Sequence, residues 1–173
     1  MTHPARSEQT LLIVFADITR FVHHARGVED LELAEMLDGY YKLVEDLALH
    51  ASGQILKFMG DGFLAVWLRE QIAAGLDALP ILKREIDAWW ANHHWDSRLV
   101  VRAHVGSAVL GPYGNEGRLD AIGNAVNKAA TLPARTISLS SDAWLQLAPE
   151  ARAAYQAQAG GSFYTPKADA DIT

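Results

Sequence analysis

The most constraining feature of the chain is residues 56–67, where two β-prone apolar runs, Leu56-Lys57-Phe58-Met59 and Phe63-Leu64-Ala65-Val66-Trp67, meet at Gly60-Asp61-Gly62. A short Asp-Gly connection between such runs predicts a hairpin. Glycine on either side lets the backbone turn and leaves the tip carboxylate open to a ligand. Lys57 lies four residues before Asp61 in an otherwise apolar strand. Alone, the segment reads first as a surface turn whose aspartate stabilises the bend and whose lysine reaches into water.

The rest of the chain is organised around that corner. Residues 1–9 are polar and expected to be loose. Residues 11–16 form an unbroken apolar run suited to a central strand buried on both faces, with Asp17 at its C-terminal end. Between residues 29 and 50 the apolar positions Leu33, Met36 or Leu37, Tyr40, Val44 and Leu47 recur at helical steps, and Gly53 offers a stop. Residues 70–94 are helical in pattern, with Pro80 expected to break or kink them. Strand character returns at 98–110, a turn-rich loop follows at 111–117, and a short strand is expected at 118–122. Gly123 then feeds a small-residue helix that ends at Pro133 and must pack closely on its support. A strand at 136–139 and a helix at 142–147 capped by Ser140 or Ser141 complete the pattern. This order of hairpins interleaved with helices predicts an α+β fold with a ferredoxin-like, split β-α-β core: a mostly antiparallel sheet with helices over one face. Residues 10–148 make one domain, and 149–173 form a weakly patterned extension.

Composition excludes several functions. The formal charge of -6 without clustered Lys or Arg argues against a nucleic-acid surface. The absence of cysteine excludes disulfides, thiolate metal sites and cysteine nucleophiles. The longest early apolar run is too short for a membrane span and lacks a signal-peptide flank, so no membrane insertion and a cytoplasmic location are expected. In a β-α-β-β arrangement Asp17 and Asp61 can be neighbours. Two carboxylates held close repel unless a cation lies between them, and hard oxygen donors suit Mg2+ or Mn2+. Two unrelated turn aspartates is the other reading of that spacing. The adjacent pairs His23-His24 and His93-His94 are read as solvent-facing, Arg102 and His104 as structural, and the tryptophans as core or interface.

Three segments in order, Phe15-Ala16-Asp17-Ile18-Thr19-Arg20-Phe21, Lys57-Phe58-Met59-Gly60-Asp61-Gly62 and Asp120-Ala121-Ile122-Gly123-Asn124-Ala125-Val126-Asn127, resemble the signatures of the class III adenylate/guanylate cyclase catalytic domain. The likeness spans about residues 10–148. It implies a head-to-tail homodimer, or pairing with a different cyclase chain, whose active sites are completed by both subunits. Asp17, Asp61 and the Ile18 carbonyl would hold two Mg2+ or Mn2+ ions. Ile18, Thr19, Phe21 and Gly60 would lie against the nucleotide, Lys57 and Asp120 contributed by the opposing copy would read the base, and Asn127 would position the ribose. A lysine donor and a carboxylate acceptor match adenine rather than guanine, so ATP is the implied substrate, converted to 3',5'-cyclic AMP and pyrophosphate.

The departures from that pattern matter as much. The family carries an arginine one helical turn past the asparagine, where this chain has Thr131. A hydroxyl does not replace a delocalised cation, and loss of such a contact costs on the order of 2.7–4 kcal/mol, roughly a hundredfold to a thousandfold in rate. Arg135 lies one turn further, beyond Pro133. Only Lys167 stands near the place of the family's triphosphate lysine, and Arg20 occupies a usual glycine position. A cyclase of low activity is therefore one expectation, a catalytically degenerate regulatory module the second, and another palm-like nucleotidyl transferase the third.

Overall fold

The computed structural model describes residues 5–167. Strand β1 (Ser7–Ile18) is the centre of the fold. It runs antiparallel to β3 (Gly62–Leu68) on one side and to β4 (Leu99–Tyr113) on the other. Beyond β3 lies β2 (Gln54–Met59). Strand β4 also carries β5 (Arg118–Ile122) antiparallel and β6 (Ile137–Ser140) parallel. The sheet ends with β8 (Phe163–Pro166) and β7 (Tyr155–Gln158), giving the order β2-β3-β1-β4-β6-β8-β7 with β5 off that path. The parallel β4–β6 pair is the sole exception to antiparallel pairing among these strands.

Alternation along the strands sorts the core into two clusters. Leu12, Val14 and Ala16 of β1, with Phe63, Ala65 and Trp67 of β3, face α2 (Asp30–His50) and α3 (Ile72–Asn92). Leu11 and Ile13, with Leu64 and Val66, face the opposite way and are covered by Ala125 and Ala129 of α4 (Asn124–Thr131). Helices therefore lie on both faces, not on one as the pattern suggested. The small side chains of α4 are what allow its close seat. Short helices α1 (Phe21–Ala25), α5 (Ser141–Trp144) and α6 (Pro149–Arg152) complete the chain.

Other expectations are corrected. Pro80 does not split the segment into two helices; α3 is continuous through it. A helix-interior proline costs about 3 kcal/mol, but Pro80 is exposed while Leu76, Leu79, Leu82 and Ile86 are buried, each contributing roughly 1.5–3 kcal/mol. The start of the expected 111–117 loop belongs to β4, whose Gly111 and Pro112 pair with Asp120 and Leu119. Ser7, Glu8 and Gln9, read as loose, pair with Leu110, Val109 and Ala108; residues 1–4 lie outside the described residues. Ser140 is the helix cap, its Oγ accepting from the Ala143 N–H at 3.1 Å. The weakly patterned tail contributes β7 and β8.

Candidate active site

Folding brings the two predicted acids together. Asp17 leaves the end of β1, and Asp61 sits in the two-residue connection between Met59 and Gly62, which face each other across the hairpin. Gly60 there has φ +69, a conformation glycine adopts without strain. Gly62 is needed for space, since a Cβ would lie 2.9 Å from the Ala16 carbonyl oxygen. The Ile18 N–H is shared by both carboxylates, donating to Asp17 Oδ1 at 3.0 Å and Asp61 Oδ2 at 3.2 Å. Helix α2 fixes the hairpin tip from below: Tyr40 Oη donates to the Asp61 carbonyl at 3.0 Å and Tyr41 Oη to the Gly60 carbonyl at 2.6 Å. The helical spacing marked Tyr40 as apolar core; nothing in it signalled the hydroxyl contact.

The electrostatics of the pair are unbalanced. Burial, together with a hydrogen bond to and repulsion from Asp17, pushes the Asp61 carboxyl up to about 6. One backbone N–H is a poor counterweight to two carboxylates. Among the described residues no group of three or more His, Asp or Glu side chains assembles as a metal site. The donor set is thus two carboxylates with the adjacent backbone, which fits Mg2+ or Mn2+, ions that retain waters and bind through one or two carboxylates plus phosphate oxygens.

A cation stands beside them that sequence reading had assigned to structure. Arg102, opposite Phe15 in the β1–β4 register, has Nη2 3.9 Å from Asp17 Oδ2 and donates from Nη1 to the Ala130 carbonyl at 3.0 Å. Its Nε is buried without a partner. Arginine alternating with β-branched residues on a strand was the available signal, but only the register shows which acid it meets.

The second predicted pair also converges: Lys57 Nζ donates to Asp120 Oδ2 at 2.7 Å, joining β2 to β5. Asn127 is exposed on α4. Thr131 ends that helix, its hydroxyl turned back on the Asn127 carbonyl at 2.9 Å, so it presents no free donor outward. Arg135 lies beyond α4 and is exposed, as is Lys167. Thr19 and Phe21 fix the loop after Asp17. The Thr19 N–H donates to the Arg98 carbonyl and Thr19 Oγ1 accepts from the Arg98 N–H, both at 2.9 Å. The Phe21 ring packs against Trp90 and Trp95. Arg20 points its guanidinium at Asp96, whose other oxygen lies 2.6 Å from His24 Nε2. His24 is therefore engaged, stacked on Trp95 and not simply solvent-facing. His104 is buried beside Ser140 Oγ at 2.8 Å, and that burial lowers its pKa.

No protein-family model matches the chain. Over 142 residues it is 24% identical to the adenylate cyclase of Anabaena cylindrica, an alignment covering 76% of this chain and 28% of that protein, so the chain spans little more than a quarter of the curated relative's length. Its fold matches the adenylyl cyclase CyaB from P. aeruginosa with a TM-score of 0.73 at 18% identity, covering 82% of each chain. It also matches the catalytic core of a rhodopsin-guanylyl cyclase with converted specificity, in complex with ATPalphaS, with a TM-score of 0.71 at 17% identity and 84% coverage of each. The chain has the fold of the nucleotide cyclase catalytic domains that its three motifs resemble. Among the described residues no helix is long and apolar enough to cross a membrane.

Proposed function

We propose that this chain is the catalytic domain of an adenylate cyclase that works as a head-to-tail dimer and converts ATP to cyclic AMP and pyrophosphate. The observation that carries the reading is the convergence of Asp17 and Asp61 on one backbone N–H, with Asp61 driven to about 6. Divalent cations bound there would stabilise charge on the triphosphate and lower the pKa of the ribose 3'-hydroxyl. Asp17, Asp61 and the Ile18 carbonyl would hold them. The reaction is an in-line displacement: the 3'-oxygen bonds to the α-phosphorus, the bond to pyrophosphate breaks, and the hydroxyl proton leaves to solvent. The protein's share is positioning and charge stabilisation.

Asp17, Lys57, Arg102 and α4 share the sheet face that holds Leu11, Ile13 and Leu64, and this face would receive the second subunit. Lys57 donates to adenine N1 and Asp120 accepts from the exocyclic amine, and their mutual 2.7 Å contact holds the two side by side. Asn127 orients the ribose from the exposed side of α4, and Arg102 places a cation beside the metal carboxylates.

One observation favours the alternative, a regulatory module of low or no turnover: the Thr131 hydroxyl is spent on its own helix, where a phosphate-facing cation is expected. Turnover of ATP and of GTP with Mn2+ and with Mg2+, over protein concentrations that span dimerisation, tests the proposal. Cyclic AMP formation that Asp61→Ala removes supports it. Silence with both nucleotides at every concentration rejects it in favour of the regulatory reading.

A further inference from the structure

Arg20 holds an unusual backbone conformation as the residue that opens α1, its carbonyl accepting from the His23 N–H at 3.0 Å and the His24 N–H at 3.2 Å. It has φ 60 and ψ 10, the left-handed region in which a Cβ crowds the backbone and which glycine would adopt freely. Among the described residues its guanidinium pairs with Asp96, and the two side chains are 55% and 56% exposed. Ion pairs so open to water contribute little to stability. Asp96 does not depend on it either, since His24 meets its other carboxylate oxygen. Ser52, His94 and Ala159 share the left-handed backbone, so it is the weakly held, solvent-facing guanidinium that leaves Arg20 free for a use outside the fold.

Its position says what that use is. Arg20 lies two residues beyond Ile18, whose N–H bridges the two carboxylates. The backbone between them is tied down by the paired Thr19–Arg98 hydrogen bonds and by the Phe21 ring against Trp95. The backbone is thus anchored, and the exposed side chain is the part left to move. Arg102 is held by the Ala130 carbonyl and Asp17, Lys57 by Asp120, and the Arg98 guanidinium donates to the Ser97 carbonyl. Arg20 engages Asp96 through Nη1, and a guanidinium carries five donors in a fork suited to phosphate oxygens.

We propose that Arg20 is a triphosphate-binding residue: on nucleotide binding its guanidinium exchanges the Asp96 carboxylate for the terminal phosphate oxygens. Asp96, itself held by His24, is the carboxylate that the phosphate oxygens replace. This rests on the reading of Asp17 and Asp61 as a metal-nucleotide site, and it supplies a cation that neither Thr131 nor Lys167 provides.

The test is equilibrium binding of α,β-methylene-ATP, which cannot be cyclised, and of AMP, each with Mn2+, to the wild type and to Arg20→Gly, Arg20→Met and Asp96→Asn. Thermal midpoints are measured alongside. Both Arg20 variants should weaken the triphosphate analogue about tenfold, the loss of one charge-assisted contact, while AMP affinity stays unchanged. Arg20→Gly should melt no lower than wild type because it removes the strain. Asp96→Asn should tighten the analogue by releasing the guanidinium. If the Arg20 variants bind the analogue as well as wild type or better, or lose AMP in parallel, the inference is overturned while the site reading stands. If wild type binds neither ligand, the site reading falls and takes the inference with it.

Discussion

The two faces of the sheet are built to different ends. On one, α2 and α3, each of 21 residues, close over a continuous apolar cluster that includes Tyr40, Trp67, Ile86 and Trp90. On the other, an eight-residue helix covers a smaller patch, and the strands carry Asp17, Lys57, Arg102 and His104 where apolar residues would otherwise stand. Neighbouring residues of β1 take part in both, since alternation sends Val14 and Ala16 inward and Asp17 outward. The closed face holds the molecule together. The other gives up apolar burial for charged and polar side chains.

Substitutions that separate the faces test this contrast, beginning with the largest effect. Asp61→Ala should reduce cyclic nucleotide formation roughly a thousandfold or more, on the scale of several kcal/mol of lost charge stabilisation, while its urea midpoint stays at or above that of wild type. A concerted loss of both would show that the charged face is structural. On the closed face Ile86→Ala should cost about 2–5 kcal/mol in denaturant unfolding, with KM for the surviving folded fraction unchanged. Thr131→Arg, on the outer side of α4, should raise kcat about tenfold to a thousandfold in a single-turnover assay; an unaltered rate favours the regulatory reading.

Acid titration distinguishes the faces more gently. Asp61 has its folded pKa raised from 3.8 to about 6, so it favours the fold below the lower value, and this contribution is lost as pH rises through the upper one. The metal-free protein should therefore lose thermal stability between those pH values. Mn2+ or Asp61→Asn should flatten the slope, and an unchanged slope in the variant would locate the titration elsewhere. Smallest is Tyr40→Phe, which removes the hydroxyl donor to the Asp61 carbonyl and should cost about 0.5–1.5 kcal/mol. Mn2+ affinity, measured by calorimetry, should fall with it if the hydroxyl orients the hairpin tip.

Legibility in the sequence followed the range of the interactions involved. The hairpin, α2, α4 and the Ser140 cap are written in local spacing and turn chemistry, and they appear where the pattern placed them. The continuity of α3 through Pro80 was not legible, because a local penalty was outweighed by burial of Leu76, Leu79, Leu82 and Ile86 against strands distant in the chain. Strands β7 and β8 carry little apolar signal of their own, and β8 is recruited by pairing with β6.

For the candidate site, the resemblance carried by three ordered motifs singled out Asp17, Asp61, Lys57 and Asp120, and the fold brings Asp17 beside Asp61 and Lys57 beside Asp120. Their partners came from elsewhere. Which acid meets Arg102, what the Tyr40 hydroxyl holds, and why Thr131 has no free donor depend on register, helix seat and side-chain direction, quantities set by packing between segments far apart in sequence. A sequence records what each residue can do over a few positions along the chain. The sharing of one Ile18 N–H between carboxylates 44 residues apart, and the charge imbalance it leaves at Asp61, arises only when the strands are laid side by side.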